Sequence, residues 1–149
     1  MMVELEMKVS KERFKEIYVY VLSTYVENIY SWYKLLSLKN SSWNQNDILG
    51  GDLNNTFPPL ERKDGNIVWD PFRENMEDII IEWDTLDVKL RKGKLTWLNR
   101  IVGAEHIVVR LDRFLIHISW ILQGMDMYSS ILASGELDHR PILLVLVEK

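Results

Sequence analysis

The sequence contains no cysteine. That absence removes disulfides, thiol nucleophiles and cysteine-ligated metal sites together, and it suits a reducing compartment. Histidine is scarce, with only His106, His117 and His139. No HxxxH or HExxH pair occurs, so no zinc site is expected. The phosphate loops GxxxxGK[ST] and GxGxxG and the nucleophile elbow GxSxG are absent too, and no cofactor is expected. Long apolar runs are missing: Ile142 to Val147 is far too short to span a bilayer. The opening MMVELEMKV alternates charged and apolar residues, unlike a signal peptide. A cytoplasmic protein without membrane attachment is the resulting expectation. A basic excess is also lacking. The formal net charge is -4 and the pI about 5.4, which argues against a generic nucleic-acid binder.

What the chain does have is apolar bulk. Hydrophobic residues make up 47% of 149 residues, enough for one globular domain over 1–149. Six tryptophans against two alanines imply a core filled by large side chains. From Lys11 to Leu38, apolar residues recur at steps of three and four (Phe14, Ile17, Tyr18, Val21, Leu22, Tyr25, Ile29, Trp32, Tyr33, Leu36), the spacing of one helix face. Ser10 stands where an N-cap belongs. A similar stripe runs from Glu105 to Leu132 and ends before Gly135. Between them, Asp70-Pro71-Phe72-Arg73-Glu74 reads as a helix start, with Met76, Ile79, Ile80, Trp83 and Leu86 following at helical spacing. The segment 88–98 reads as helix or as a hairpin turning at Lys92-Gly93. Val3, Leu5, Met7 and Val9 alternate with charged residues as in a half-buried strand. The run Ile142 to Val147 reads as a strand covered on both faces, with the N-terminal strand as its expected neighbour. Asn66 to Trp69 suggests one more short strand. The expected fold is therefore α+β and predominantly helical: a bundle of three to four helices with a small sheet of the two terminal strands. Residues 40–64, rich in Asn, Ser, Gly and Pro, form a long irregular loop in this reading.

Two constellations bear on function. Glu74, Asp78 and Glu82 are spaced by four and stack on one helix face, a ridge able to meet a basic protein surface. Trp43 and Phe57 in the long loop are potential aromatic anchors for the same partner. The second constellation is Arg110, Arg113 and His117, which would share a helix face if 105–132 is helical. A cation beside an imidazole can bind a scissile phosphate and move a proton. This segment resembles the Arg-to-His motif of HEPN-type helical ribonucleases, although Leu111 stands where that family commonly carries a polar residue. The resemblance implies RNA cleavage by Arg110, Arg113 and His117.

With no catalytic signature and an acidic surface, the chain reads first as a small non-enzymatic protein-binding module. Its concrete form is an inhibitor or immunity-type protein acting on a basic partner, through Glu74, Asp78, Glu82, Trp43 and Phe57. The HEPN-like ribonuclease is the enzymatic alternative. A structural accessory protein, homodimeric through its aromatic stripes, is the third.

Overall fold

The computed structural model describes residues 2–6, 13–56, 61–63, 70–133 and 138–147. In chain order the first elements are β1 (Met2–Glu6), β2 (Arg13–Tyr20), α1 (Tyr25–Ser41), β3 (Ile48–Asp52) and β4 (Arg62–Lys63). Then come α2 (Arg73–Glu82), β5 (Thr85–Asp87), β6 (Leu90–Lys92), β7 (Trp97–Leu98) and β8 (Val108–Val109). The last are β9 (Asp112–His117), α3 (Ser119–Leu122), β10 (Asp126–Ile131) and β11 (Ile142–Val147). The expected helical bundle is overturned: strands dominate, in three sheets.

A five-stranded sheet in the order β1-β2-β3-β9-β5 forms the middle layer. β2 and β3 run parallel, and every other pair in it is antiparallel. Side chains alternate across its plane. Leu49 and Leu115, paired between β3 and β9, point to one side and are fully buried with Trp32, Leu35, Met76, Ile79 and Trp83 of the helical layer. Ile48, Phe114 and Ile116 point to the other side, where Met127, Ile142, Leu144 and Leu146 of the β11-β10-β6 sheet cover them. A strand buried on both faces shows no polar alternation. That is why Leu111 to Ile118 imitates a helical stripe. The third sheet, β4-β8-β7, stands beside these layers.

The corrections follow from this pairing. The expected 11–38 helix divides into β2 and α1, because Ile17 to Val21 is a β-branched and aromatic run that pairs with β1 and β3. The expected 105–132 helix is β8, β9 and β10 with only the four-residue α3 between them. Segment 88–98 is neither helix nor hairpin: β6 pairs with β10 and β7 with β8. The two terminal strands exist but lie in different sheets, β1 on β2 and β11 on β10. The supposed loop at 40–64 contains β3, the central strand, disguised by Gly50 and Gly51. Gly51 has φ +132°, and a Cβ there would fall 2.1 Å from the Val19 carbonyl oxygen of β2, so the two strands meet closely only because no side chain intervenes. The Ser10 cap, the Gly135 stop and the strand at 66–69 fall outside the described residues. No helix among the described residues is long and apolar enough to cross a membrane.

Candidate functional site

The register of β3 and β9 sets Asp52 directly opposite Asp112. Two carboxylates so placed repel and would ordinarily be avoided. Here both turn to one imidazole. His139 Nδ1 lies 3.1 Å from Asp112 Oδ2, and Nε2 lies 3.7 Å from Asp52 Oδ2. With a proton on Nδ1 held by Asp112, Nε2 is left able to accept another.

Backbone contacts fix all three residues. Asp52 Oδ1 accepts the Asn54 amide at 2.8 Å. Asn54 itself takes a left-handed φ of 45°, which asparagine tolerates better than most residues. The wholly buried Thr96 accepts the Leu111 and Asp112 amides on its hydroxyl, each at 3.0 Å. Its carbonyl accepts the Arg140 amide at 2.7 Å, and Trp97 bridges to His139. One threonine thus ties the acid on β9 to the segment bearing the histidine.

Asp52 and His139 line an open cavity of about 670 Å³, together with Tyr20, Asn54, Arg62, Asp70, Trp97, Val109 and Asp138. Burial pushes the Asp52 carboxyl up to about 6; the Asn54 amide opposes this, Asp112 adds to it, and His139 opposes it. Hydrogen bonds from its own amide and that of His139 lower the exposed Asp138. Among the described residues no cluster of three or more His, Asp or Glu side chains is arranged to hold a metal ion.

The residues singled out from the sequence lie elsewhere. Arg113 is buried and makes 2.8 Å ion pairs with Asp87 and with Glu61. Arg110 pairs with the same two acids, at 2.7 Å and 3.0 Å. Burial alone would lower the Arg113 pKa; Asp87 and Glu61 more than reverse that, and it rises. Arg113 also donates to the Asn55 carbonyl at 3.0 Å, which holds the loop leaving β3. His117 sits at the far end of β9, its Nδ1 2.8 Å from the Ser119 hydroxyl. Four residues along a strand span about 13 Å, so His117 and Arg113 do not converge on one ligand.

Glu74, Asp78 and Glu82 are exposed along α2, with Glu82 3.3 Å from Lys39. Trp43 is half-buried, its ring 5.1 Å from that of Trp83. Phe57 falls outside the described residues. Sequence reading missed Asp52, Asp112, His139 and Thr96. Their one local signal is position: each acid sits at an end of an apolar run, and His139 just precedes another.

No family model and no curated protein matches the chain. Solved structures do. One is the endonuclease domain of TRAS1, a telomere-specific non-LTR retrotransposon, at TM-score 0.60 and 14% identity, covering 96% of this chain and 62% of that one. Another is a functionally unknown conserved protein from Enterococcus faecalis V583, at TM-score 0.59 and 12% identity, covering 99% of this chain and 55% of that one. The chain therefore spans less than two thirds of either, and at these identities the likeness is one of fold. It overturns the expectation of a non-enzymatic inhibitor or immunity-type module. The inhibitor reading rested on charge and size, while the HEPN-like helical ribonuclease and the homodimeric accessory protein rested on faces of long helices that the sheets replace. The chain is similar in fold to an endonuclease domain; its central sheet sets Asp52 opposite Asp112, and Asp52 and His139 line one cavity.

Proposed function

We propose that this chain carries a phosphodiester-hydrolysing site of nuclease type, centred on His139. The observation that carries the reading is the imidazole held between Asp112 and Asp52 at the wall of an open cavity. The fold shared with an endonuclease domain supports it. In this mechanism His139 Nε2 takes a proton from a water molecule as its oxygen bonds to phosphorus. The ester P–O bond breaks, and the imidazolium returns the proton to the departing oxygen. Asp112 holds the ring in the tautomer that accepts at Nε2, and Asp52 balances the positive charge while it lasts. The net charge of -4 argues against a broad basic surface, and the cavity wall itself sets Arg62 and His139 beside Asp52, Asp70 and Asp138. The cysteine-free sequence suits a reducing compartment, and we place the protein in the cytoplasm.

The test is hydrolysis of a short oligonucleotide and of bis(p-nitrophenyl) phosphate by the purified chain. His139→Ala is expected to lower kcat by about 10²–10⁴-fold, the usual contribution of a general base. Hydrolysis that continues undiminished in His139→Ala, or none by the wild-type chain, overturns the reading.

A further inference from the structure

Resting on that reading, we infer that Arg62 binds a second phosphate of the substrate, so that the site takes an oligonucleotide in preference to a single phosphoester. The argument begins with register. His139 bridges to Trp97, Trp97 pairs with Val109, and Val109 pairs with Arg62. Directly opposed residues on neighbouring strands project to the same face of a sheet. These four form one transverse row, and all four line the same cavity.

The charge at the far end of the row is uncompensated. Arg62 is half-buried and makes no ion pair among the described residues, and its Nε is buried without a partner. Arg110 and Arg113 nearby are each paired with two carboxylates. The other acids of the cavity wall are committed. Asp70 accepts the Thr56 and Phe72 amides on its two oxygens, Asp52 faces His139, and Asp138 accepts the His139 amide. A sheltered guanidinium with no counter-ion is a receptor for an anion, and its planar fork suits phosphate.

Distance then selects the ligand. Three strand steps of about 4.8 Å put Arg62 roughly 14 Å from His139 along the row. One phosphate cannot meet both. A chain of nucleotides can, with its scissile phosphate at His139, a later phosphate at Arg62, and a base over the Trp97 ring between them.

The experiment measures binding of a fluorescein-labelled single-stranded oligonucleotide by anisotropy across a salt series, for the wild-type chain, Arg62→Gln and Arg62→Lys. Arg62→Gln is expected to weaken affinity roughly tenfold and to reduce the slope of log K against log salt by about 0.7, the loss of one phosphate contact. Arg62→Lys should restore most of the slope. In cleavage, the ratio of oligonucleotide to bis(p-nitrophenyl) phosphate turnover should fall about tenfold in Arg62→Gln. An unchanged slope and ratio, or no oligonucleotide binding by the wild-type chain, overturns the assignment. An equal loss on both substrates does so as well. The two readings separate: if His139→Ala hydrolyses normally while Arg62→Gln loses its salt slope, the catalytic reading fails and Arg62 still stands as a phosphate contact.

Discussion

The Arg113 guanidinium meets the Asp87 carboxylate at 2.8 Å with the Arg113 side chain wholly excluded from water. Glu61 and Arg110 complete a ring of alternating charge that joins β5, β9 and the segment before β4. Removing Arg113 leaves the Asp87 and Glu61 carboxylates sharing the single guanidinium of Arg110, an uncompensated charge in the interior. Arg113→Ala is expected to cost about 3–5 kcal/mol in urea unfolding. The pair of changes Arg113→Met and Asp87→Leu should cost less than the sum of the two singles, because each single leaves one excess charge in the ring and the pair leaves Arg110 matched with Glu61. A loss below about 1 kcal/mol for Arg113→Ala would mean that the ring holds nothing together.

Asp52 gives stability a pH dependence of known sign. Its carboxyl is lifted from 3.8 to about 6, so the folded chain holds this proton more tightly than the unfolded one. Folding is unpenalised below about pH 4, loses stability as pH rises towards 6, and carries the full penalty above it. Asp52→Asn keeps an acceptor for the Asn54 amide and removes the ionisation. It should therefore match the wild-type chain near pH 4 and exceed it by about 1–3 kcal/mol at pH 8, read as Tm or denaturant midpoint at each pH. Greater stabilisation at pH 4 than at pH 8 would contradict the assignment.

The same ionisation should shape activity. If Asp52 must be charged to balance the imidazolium, kcat falls on the acid side with a midpoint near pH 6. In Asp52→Asn the rate drops, and the part of that limb set by the carboxyl is lost. A pH–rate profile of both chains on bis(p-nitrophenyl) phosphate checks this. An identical limb in both would assign it to another group.

Gly51 should be intolerant of any side chain. Gly51→Ala adds a strained φ to a 2.1 Å collision with backbone, and about 3 kcal/mol or more is the expected loss. Gly103 is the control: its φ is also positive, at +96°, but nothing lies within 4 Å of an added Cβ. Gly103→Ala should cost only about 1 kcal/mol. Comparable losses at the two positions would show that the β2–β3 approach is softer than its geometry implies.

The parts of this fold legible in the sequence were those set by local chemistry. The alternation at Val3 and Leu5 marks β1, and the apolar run from Ile142 marks β11. Asp70 accepts the Phe72 amide in the turn before α2, but the helix starts at Arg73 rather than Pro71, with no side-chain cap. What failed was periodicity in segments apolar on both sides. Phe114, Leu115 and Ile116 are all buried, two against one sheet and one against the helices, so their spacing carries no period to read. β3 failed for the opposite reason: Gly50 and Gly51 look like turn formers but serve a close strand contact and the Phe114 ring. The site was hidden more deeply still. Asp52, Asp112 and His139 are separated by tens of residues and meet only through the pairing of β3 with β9 and of Trp97 with His139. Arg110, Arg113 and His117 drew notice because they are near in sequence, whereas the sheet spends the two arginines on internal ion pairs.

The opposition of Asp52 and Asp112 across two strands makes chemistry a gauge of alignment. Sliding β9 by a single residue against β3 would swing Arg113 to the place of Asp112 and drive Phe114 and Ile116 among the helices. No misthreaded chain could keep its interior and still present two acids to one imidazole. Turnover would thus count correctly zipped molecules in a mixed preparation, where spectroscopic strand content would not.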